Sequence, residues 1–431
     1  MSNGVIIVLD CSSTSSNYIY DIRKEGFTPI LMEFQVPNYE KDRIRQLHDF
    51  YYSLNGDLIP KIIIAGHNYE ETLRIVKEIN PVLVLAGSDR AIDWATRLAF
   101  ELDLPSNNPL NLPKMQDKYL MQKAIASAGL RSINSCLVHS FQEAKAFYDR
   151  ITEKRIVVKP IHGKATIGVC ICQNEKDLKD AVAYNLSLID VNSQKKDSAF
   201  LVQEYVDGTE YVINTTSCEK RHSVTSTMKY DKLLIQGRGK IYNYVQSVSP
   251  SCSEMVNVVD YTLKALDAIG LCVGPAHTEI MVDDNGPVLI EVNCRPCGGL
   301  MRRTWLEKFL GHHETNIYLD SFLHPERFVS SRVFEPISNG FIKPIIVPYD
   351  LYAVNNRLNN ICSKLKSFDY ELDMGGGRIY NKTIDFSTNG GFVFLCHDDL
   401  NVVLQDCLYL HKIETESPEL IFESNHDYTT F

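Results

Sequence analysis

The sequence has 431 residues, of which 44% are apolar and 23% are charged, as expected for a globular protein that buries large cores and unlike a disordered chain. Its formal net charge of −10 argues against a general binder of nucleic acid or anionic membranes, although a local basic pocket can still hold a phosphate. No apolar run approaches the roughly 18 residues of a membrane span, and the N-terminus lacks the basic segment of a signal peptide. We therefore expect a cytoplasmic protein whose 12 cysteines are reduced.

The first hundred residues alternate apolar strands with amphipathic helices. Strands are predicted over 5–9, 28–32, 61–65 and 82–86, and helices over 17–24, 70–79 and 89–102. Continuous apolar strands between helices predict a parallel sheet that is covered on both faces. The loops at 10–16 and 87–90 follow two of these strands, at the end where such sheets bind ligands, but ordinary strand-to-helix turns explain them equally well.

A linker rich in Pro and Asn, residues 105–113, precedes a central segment of mixed helices and strands. Its predicted strands are 155–159, 169–172, 200–205, 211–217, 224–230, 276–282 and 287–292, and its predicted helices are 118–128, 175–188 and 255–269. From about residue 334 the pattern becomes rich in strands again. A strand at 390–395 and a helix at 399–411 indicate a third, smaller α/β module.

The strongest chemical signal is the hairpin at 276–292, whose turn is centred near Asn285. Symmetric pairing about that residue places Glu279 opposite Glu291 and His277 opposite Asn293. Two opposed glutamates repel each other unless a cation lies between them, and oxygen ligands of this kind suit Mg²⁺. The pattern therefore predicts either a metal site or an ordinary solvated polar face.

Two weaker signals lie upstream of the hairpin. A predicted strand ends at Lys159 and is followed by a loop of small residues at 162–168, whose backbone N–H groups can point toward phosphate oxygens. A lysine at the end of a strand is, however, more commonly just solvated. The segment at 203–210 is predicted to be a hinge whose backbone groups can read a purine edge, although a plain β-turn also fits. Neither signal identifies a function by itself.

In this order and spacing, the sequence resembles the ATP-grasp superfamily of carboxylate–amine ligases over most of its length. The matching motifs are Asp117-Lys118, Val158-Lys159-Pro160, the glycine loop at 162–168, residues 203–210, His277-Thr278-Glu279 and residues 291–296. Residues 85–89, 104–107 and 298–301 look like the L-amino acid ligase branch, which makes dipeptides. The glycine loop differs from the commoner Gly/Ser-rich form because it carries Lys164, Ala165 and Ile167.

The resemblance implies an α/β fold, with an α+β central part, in the three-domain ATP-grasp architecture. Residues 1–113 would form a Rossmann-like N-terminal domain. Residues 114–333 would form the ATP-grasp domain, with a small subdomain at about 130–205 that carries the glycine loop. Residues 334–431 would form a β-rich α/β module that completes the ligase core.

The resemblance also implies that the protein uses ATP and two Mg²⁺ ions, with Mn²⁺ as a possible substitute. The metal ligands would be Glu279, Glu291 and Asn293. Arg295 would stabilise the transferred phosphoryl group or the later oxyanion. The residues that would hold or cover the ATP phosphates are Lys118, Lys159 and the loop residues His162, Gly163, Thr166 and Gly168, with the loop acting as a mobile flap.

The remaining assignments concern the nucleotide and the substrate. Gln203, Glu204 and the Val206 backbone would read adenine, and Glu210 would bind the ribose. His277 could orient a ligand, meet the substrate or be a satisfied structural histidine. Arg302 and Arg303 could pair with a substrate carboxylate or be ordinary surface charge. Further candidates are Ser88, Gly298 and Gly299 for substrate contacts, and Arg238 and Lys240 for phosphate or substrate.

The leading hypothesis is an ATP-dependent ligase that activates the carboxylate of an L-amino acid as an acyl phosphate. It would couple that group to the amine of a second amino acid and release ADP and phosphate. Its partners would be small molecules rather than nucleic acid or membrane, and a homodimer is one possible assembly. The first alternative is an ATP-grasp carboxylase or nucleotide-biosynthesis ligase, because residues 390–393 and the helix after Asp399 resemble the end of biotin-carboxylase-like enzymes. The second is a nucleotide-binding protein without catalysis.

Overall fold

The computed structural model describes residues 3–34, 60–161, 168–187, 199–234, 240–330, 332–349, 351–353, 355–372, 379–380, 382–384 and 388–423. The strands of these residues form one sheet of eight strands, two of four and one of three. Helices pack against the sheets throughout. This arrangement confirms the α/β fold class with its mixed central part.

The N-terminal part is a parallel sheet of four described strands with helices on both faces, as predicted. Its strands are β1 (Val5–Leu9), β2 (Thr28–Glu33), β3 (Lys61–Ile64) and β4 (Leu83–Ala86), in the order β3–β2–β1–β4. Its helices are α1 (Tyr18–Lys24), α2 (Tyr69–Ile79) and α3 (Ile92–Glu101). Alternate residues of β1 face opposite ways, so Ile6 and Val8 pack in one apolar cluster and Ile7 and Leu9 in another.

Two helices, α4 (Leu112–Gln116) and α5 (Lys118–Ser127), lead into a small antiparallel sheet. Its strands are β5 (Ser135–Val138), β6 (Ile156–Pro160), β7 (Cys170–Cys172) and β8 (Phe200–Glu204), in the order β5–β8–β6–β7. Helices α6 (Phe141–Arg150) and α7 (Glu175–Ser187) cover it. Val158 and Val202 of the strands pack with Phe147 and Val182 of the helices in one apolar cluster.

The largest sheet joins the central and C-terminal parts of the chain. The remaining strands are β9 (Thr209–Cys218), β10 (Arg221–Leu234), β11 (Lys240–Ser247), β12 (Gly274–Asp283), β13 (Gly286–Asn293), β14 (Asn339–Pro344), β15 (Leu351–Ala353), β16 (Phe368–Leu372), β17 (Ile379–Tyr380), β18 (Phe392–His397) and β19 (Phe422–Glu423). The eight-stranded order is β13–β12–β9–β10–β11–β14–β18–β16. The pairing of β11 with β14 carries the sheet past residue 333, and the domain boundary there stays a prediction.

Five further helices complete the described part of the chain. They are α8 (Ser253–Ile269), α9 (Arg303–Leu310), α10 (Glu314–Leu323), α11 (Asn355–Cys362) and α12 (Leu400–Glu416). Helices α9, α10 and α11 are missing from the sequence-based prediction, although Trp305 and Phe309 have helical spacing and Gly311 ends α9 with a φ of 75°. Among the described residues, none of the helices combines the length and apolar character that crossing a bilayer requires.

Residues 205–208, where the hinge is predicted, connect two different sheets. Strand β8 ends at Glu204 in the small sheet, and β9 begins at Thr209 in the eight-stranded sheet. A glycine is required at position 208, because a Cβ there would lie 2.2 Å from the carbonyl oxygen of Val282. The hinge therefore runs directly against the end of β12.

A fully buried ion pair anchors the C-terminal helix to the eight-stranded sheet. The side chains of Lys343 on β14 and Glu414 on α12 have 0% exposure, and their charged atoms lie 2.7 Å apart. Removing one partner leaves the other as an uncompensated buried charge. We therefore expect Glu414→Gln to lower the free energy of unfolding by about 3–5 kcal/mol, measured by urea denaturation.

The matched control for this prediction is Glu416→Gln on the same helix. Glu416 pairs with Lys412 at 3.7 Å, and both side chains are more than half exposed. Exposed pairs contribute roughly 0–1 kcal/mol, so this variant should unfold close to the parent protein. Similar losses in the two variants would contradict the anchoring role of the buried pair.

Candidate active site

The two strands that carry the predicted metal ligands pair as expected. Glu279 of β12 lies opposite Glu291 of β13, and His277 lies opposite Asn293. The turn is tighter than predicted, because Asp283 pairs with Gly286, and a bulge between residues 289 and 291 restores the expected register. Both carboxylates therefore face the same side of the sheet.

Lys118 is the positive charge beside this carboxylate pair. It is the first residue of α5, whose N-cap Asp117 accepts two backbone N–H groups. The Lys118 Nζ lies 2.8 Å from Glu291 Oε2, and the Asn293 amide donates to Glu291 Oε1 at 3.1 Å. Burial opposes the ionisation of Glu291, but Lys118 and Asn293 outweigh it and lower the pKa of Glu291 to about 2.

Lys159 approaches the same carboxylates from the small sheet. Its side chain lies on β6, and the residue is only 6% exposed. Burial, reinforced by repulsion from Lys118, lowers the pKa of Lys159 to about 8, while Glu291 and Glu279 oppose that shift. Two lysines from separate elements and two glutamates from paired strands therefore form one charged cluster.

His277 is buried on β12 and takes part in a hydrogen-bonded chain. Its Nδ1 lies 2.8 Å from Asn214 Oδ1, and the Asn214 amide donates to Ser226 Oγ at 2.9 Å. Its Nε2 lies 3.6 Å from Glu279 Oε1. Burial opposes protonation of His277, but Cys297 and Glu279 raise its pKa to about 10. These contacts favour a role for His277 in orienting Glu279 over direct contact with a substrate.

The hinge side chains that the resemblance assigns to adenine are bonded within the protein. The Gln203 amide donates to Ser135 Oγ at 2.8 Å. The Glu204 carboxylate accepts the backbone N–H of Asn134 at 3.2 Å. Val206 lies in the connection between the two sheets, where its backbone is outside both strands. Contact of these residues with adenine stays a prediction.

Glu210, the predicted ribose contact, forms an ion pair with Lys232. Their charged atoms lie 2.6 Å apart, and the side chains are 10% and 13% exposed. The Lys232 ammonium also lies 5.2 Å and 4.5 Å from the ring centroids of Tyr230 and Tyr242. Burial raises the pKa of Glu210 even though Lys232 opposes the shift. The predicted ribose contact is therefore a charged and largely enclosed pair.

Some predicted residues cannot be placed, because they lie outside the described part of the chain: His162, Gly163, Thr166 and Arg238. Gly168 is described, and its carbonyl accepts the Asn185 amide at 2.9 Å. Lys240 lies against the hinge, with its Nζ 3.6 Å from an Asp207 oxygen and 5.7 Å from the Tyr205 ring centroid.

Arg295 lies in the turn that follows the hairpin of β12 and β13. Strand β13 ends at Asn293, and the Arg295 N–H donates to the Asn293 carbonyl at 2.8 Å in a tight turn. The guanidinium forks onto Asp89 of the N-terminal part, with both N–O distances at 2.9 Å. A further N–H donates to the Pro296 carbonyl at 2.9 Å. Arg295 therefore joins the end of β13 to the N-terminal part of the chain.

Ser88 belongs to a polar cluster at the carboxyl ends of β1 and β4. Its hydroxyl donates to the Asp10 carboxylate, which also pairs with Arg90. Burial and the charge of Asp10 raise the pKa of the neighbouring Glu33 to about 8. The predicted ligand-binding edge of the N-terminal sheet is therefore rich in charge, and it faces the turn that carries Arg295.

The glycine segment after β13 is held by the loop that follows β1. Thr14 donates its hydroxyl to the Gly298 carbonyl at 3.3 Å, and Ser13 accepts the Leu300 N–H at 2.8 Å. Gly299 has a φ of 85°, a conformation that favours glycine. The segment around Gly298 and Gly299 is thus fixed where the N-terminal and central parts meet.

The two predicted carboxylate-binding arginines have aromatic partners. The Arg302 guanidinium carbon lies 4.2 Å from the ring centroid of Tyr370 on β16, and the Tyr370 hydroxyl accepts the backbone N–H of Arg302 at 3.0 Å. The Arg303 guanidinium lies 3.9 Å from the Tyr20 ring centroid and pairs with Glu307 at 3.3 Å. Their roles toward substrate stay predictions.

The donors on β12 and β13 fit a hard divalent cation. They are the carboxylates of Glu279 and Glu291 and the amide oxygen of Asn293. Within the described ranges, no group of three or more His, Cys, Asp or Glu residues is arranged to hold a metal ion. Two carboxylates and an amide suit Mg²⁺ that also takes oxygens from substrate phosphates.

Three residues that contact the predicted site are missing from the sequence-based prediction. Asp89 holds Arg295, Lys232 holds Glu210, and Asn214 accepts from His277. Asp89 lies within a segment that resembles the ligase branch, but its partner is 206 residues away. Lys232 and Asn214 belong to no recognisable motif, and they reach the site only through the register of the paired strands.

Residues 152–304 match the family described as the ATP-grasp domain. That range of the chain is similar to an ATP-grasp domain. The matched range begins shortly before β6 and ends at the start of α9. It includes Lys159, the hinge and the hairpin of β12 and β13 that carries Glu279 and Glu291, which we call the carboxylate hairpin. Lys118 lies outside the range.

A curated relative extends the sequence likeness beyond the ATP-grasp domain. Dapdiamide A synthase from Enterobacter agglomerans is 29% identical over 276 residues, which is 62% of this chain and 62% of the relative. The chain therefore matches about three fifths of the length of that relative.

Two solved structures share the fold of nearly the whole chain. L-amino acid ligase from Bacillus licheniformis has a TM-score of 0.74 at 16% identity and covers 96% of this chain and 98% of its own. N5-carboxyaminoimidazole synthetase from Staphylococcus aureus complexed with ADP has a TM-score of 0.69 at 11% identity, with 95% and 97% covered. The shared fold therefore extends on both sides of the ATP-grasp domain.

Proposed function

We propose that this protein is an ATP-dependent ligase that joins a carboxylate to an amine and releases ADP and phosphate. The observation that carries the proposal is the charged cluster around the hairpin of β12 and β13. Glu279 and Glu291 lie opposite each other on paired strands, and Lys118 and Lys159 approach them from α5 and β6. Such a cluster suits phosphoryl transfer, which requires positioning and charge neutralisation more than acid–base groups.

The cofactors proposed are ATP and Mg²⁺. Glu279, Glu291 and Asn293 would hold the metal, and bound Mg²⁺ supplies positive charge between the ATP phosphates and the attacking carboxylate. Lys118 and Lys159 would bind phosphate oxygens. Binding of two ions, replacement by Mn²⁺ and a role for the loop at 162–168 as a flap are parts of the same proposal.

The chemical step would run in two displacements. A carboxylate oxygen of the first substrate attacks the γ-phosphorus of ATP, and ADP leaves. The amine nitrogen of the second substrate attacks the carbonyl carbon of the acyl phosphate, and inorganic phosphate leaves. The oxyanion in the second step requires a fixed donor, and Arg295 is the residue proposed for it.

The proposed substrates are L-amino acids. The sequence likeness to dapdiamide A synthase and the shared fold with an L-amino acid ligase support this choice. Arg302 and Arg303 lie after the glycine segment and supply charge for a free carboxylate. A cytoplasmic location and a homodimer stay predictions.

The test is phosphate release from a matrix of all amino-acid pairs with Mg²⁺ and ATP, with products identified by mass spectrometry. We expect a restricted set of pairs to release phosphate and form a dipeptide mass. Phosphate release with bicarbonate and no amino acid would favour the carboxylase alternative, which the fold shared with N5-carboxyaminoimidazole synthetase also allows. Nucleotide binding without ADP formation under any condition would contradict a ligase.

The low pKa of Lys159 predicts a pH limit for nucleotide use. Lys159 must be charged to bind phosphate, and burial together with Lys118 lowers its pKa to about 8. The free enzyme therefore loses this charge as the pH rises through about 8, so kcat/KM for ATP should fall about tenfold per pH unit above it. Measuring kcat/KM from pH 6 to 10 checks this expectation.

Lys159→Arg supplies the control for the pH profile, because a guanidinium stays charged throughout that range. The alkaline limb should flatten in this variant even if its activity at pH 7 is reduced. An unchanged limb in Lys159→Arg would assign the titration to another group. Lys159→Ala should lose turnover severely and melt close to the parent protein without nucleotide.

A further inference from the structure

Asp89 lies where the N-terminal part of the chain meets the ATP-grasp domain. It follows Ser88 after strand β4 and begins the turn into α3. Each of its carboxylate oxygens accepts an N–H of Arg295 at 2.9 Å, across 206 residues of sequence. The two side chains are 37% and 14% exposed, so the arginine end of this pair is largely enclosed.

The negative charge of Asp89 needs an explanation, because the nearby lysines are proposed to bind phosphates, which are also negatively charged. An unpaired carboxylate there would repel a nucleotide, whereas one that forks with Arg295 is neutralised.

The geometry of the fork leaves part of the guanidinium for a ligand. An arginine side chain has five N–H donors. Asp89 takes two of them and the Pro296 carbonyl takes one, so two remain. The backbone of Arg295 is also fixed, because its N–H donates to the Asn293 carbonyl at 2.8 Å. Both ends of the side chain are therefore held before any substrate arrives.

We propose that Asp89 is a positioning residue that holds the Arg295 guanidinium so that its two remaining donors meet the oxyanion of the coupling step. This inference rests on the proposed ligase function. A donor that is already in place does not reorganise as charge develops, which is the condition under which oxyanion stabilisation is most effective. The N-terminal part thereby influences the chemical step without contacting the reacting atoms.

The kinetic test compares Asp89→Asn with Asp93→Asn on the same stretch of chain. Asp93 pairs with the exposed Arg97 at 2.9 Å, away from Arg295, and serves as the matched control. We expect Asp89→Asn to lower kcat roughly 10- to 100-fold while KM for ATP stays within about twofold, because one charged fork is lost and the phosphate lysines remain. Asp93→Asn should change neither parameter.

A double-mutant cycle separates positioning from a structural role. If Asp89 acts through Arg295, Asp89→Asn should cost nothing further once Arg295→Ala is present. Additive losses in kcat, or a lower melting temperature of Asp89→Asn that accounts for its lost activity, would overturn the proposal. A rise in KM for ATP with unchanged kcat would also overturn it.

Chemical modification of Arg295 tests its positioning by Asp89 without requiring ligase turnover, so this test can fail independently of the proposed ligase function. Phenylglyoxal modifies accessible guanidinium groups, and peptide mass spectrometry reports the rate at each arginine. Asp89→Asn should accelerate modification of Arg295 several-fold while leaving the half-exposed Arg221 unchanged. An unchanged rate at Arg295 would refute the fixing of its side chain by Asp89. Absence of phosphate release by the parent protein would refute the ligase function and leave this result standing.

Discussion

Replacing Glu291 with Gln is expected to abolish turnover while leaving the fold intact. Glu291 is ionised at neutral pH because Lys118 and Asn293 outweigh the cost of burial and lower its pKa to about 2. A glutamine removes that charge from the proposed metal site, so the phosphoryl group would move without full neutralisation. We expect the rate of ADP formation to fall about a thousandfold or more, which corresponds to about 4 kcal/mol of barrier.

The fold should tolerate this change because glutamine preserves the shape and one acceptor oxygen. Asn293 donates to Glu291 Oε1, and an amide oxygen can still accept that bond. Binding of Mn²⁺ followed by electron paramagnetic resonance should weaken together with ADP formation, and the melting temperature should change little. Glu254→Gln is the control, because that side chain is 55% exposed and lies 3.6 Å from Lys229. ADP formation near the parent rate in Glu291→Gln would exclude a metal-ligand role.

The carboxylate hairpin shows what local sequence can predict. Side chains alternate along a strand, so the spacing of Glu279, Glu291 and Asn293 determines that they share one face once the register is known. The predicted register is correct at Glu279 and His277 because two deviations from the assumed hairpin offset each other. The turn is one residue shorter than assumed, and the bulge at Ile290 adds the residue back, which the alternating pattern does not reveal.

Contacts between distant segments could not be predicted in the same way. Such contacts depend on how separate parts of the chain pack. Examples are the ion pair between Asp89 and Arg295 and the pairing of β14 with β11. A one-dimensional pattern gives no distance between such segments. Helix α9, in contrast, carried a readable signal in the spacing of Trp305 and Phe309 and in Gly311 after its last residue.

Removal of the Arg295 side chain is expected to slow coupling far more than it weakens nucleotide binding. Of its five N–H groups, two are held by Asp89 and one by the Pro296 carbonyl, and the remaining two are the proposed donors to the oxyanion. In Arg295→Ala, product formation should fall roughly a hundredfold or more, the usual scale for one lost oxyanion donor. The affinity for Mg-ATP should stay within a few-fold, because Lys118, Lys159 and the hinge remain.

Arg295→Lys should restore little of the lost activity. An ammonium cannot fork onto both oxygens of Asp89 and also present two fixed donors to a substrate. Calorimetry of nucleotide binding beside product assays separates the two effects. If both variants lost Mg-ATP affinity in proportion to activity, Arg295 would serve nucleotide binding or folding rather than the coupling step. If Arg295→Lys were as active as the parent protein, a single positive charge would suffice, and the forked geometry with Asp89 would have no part in the chemistry.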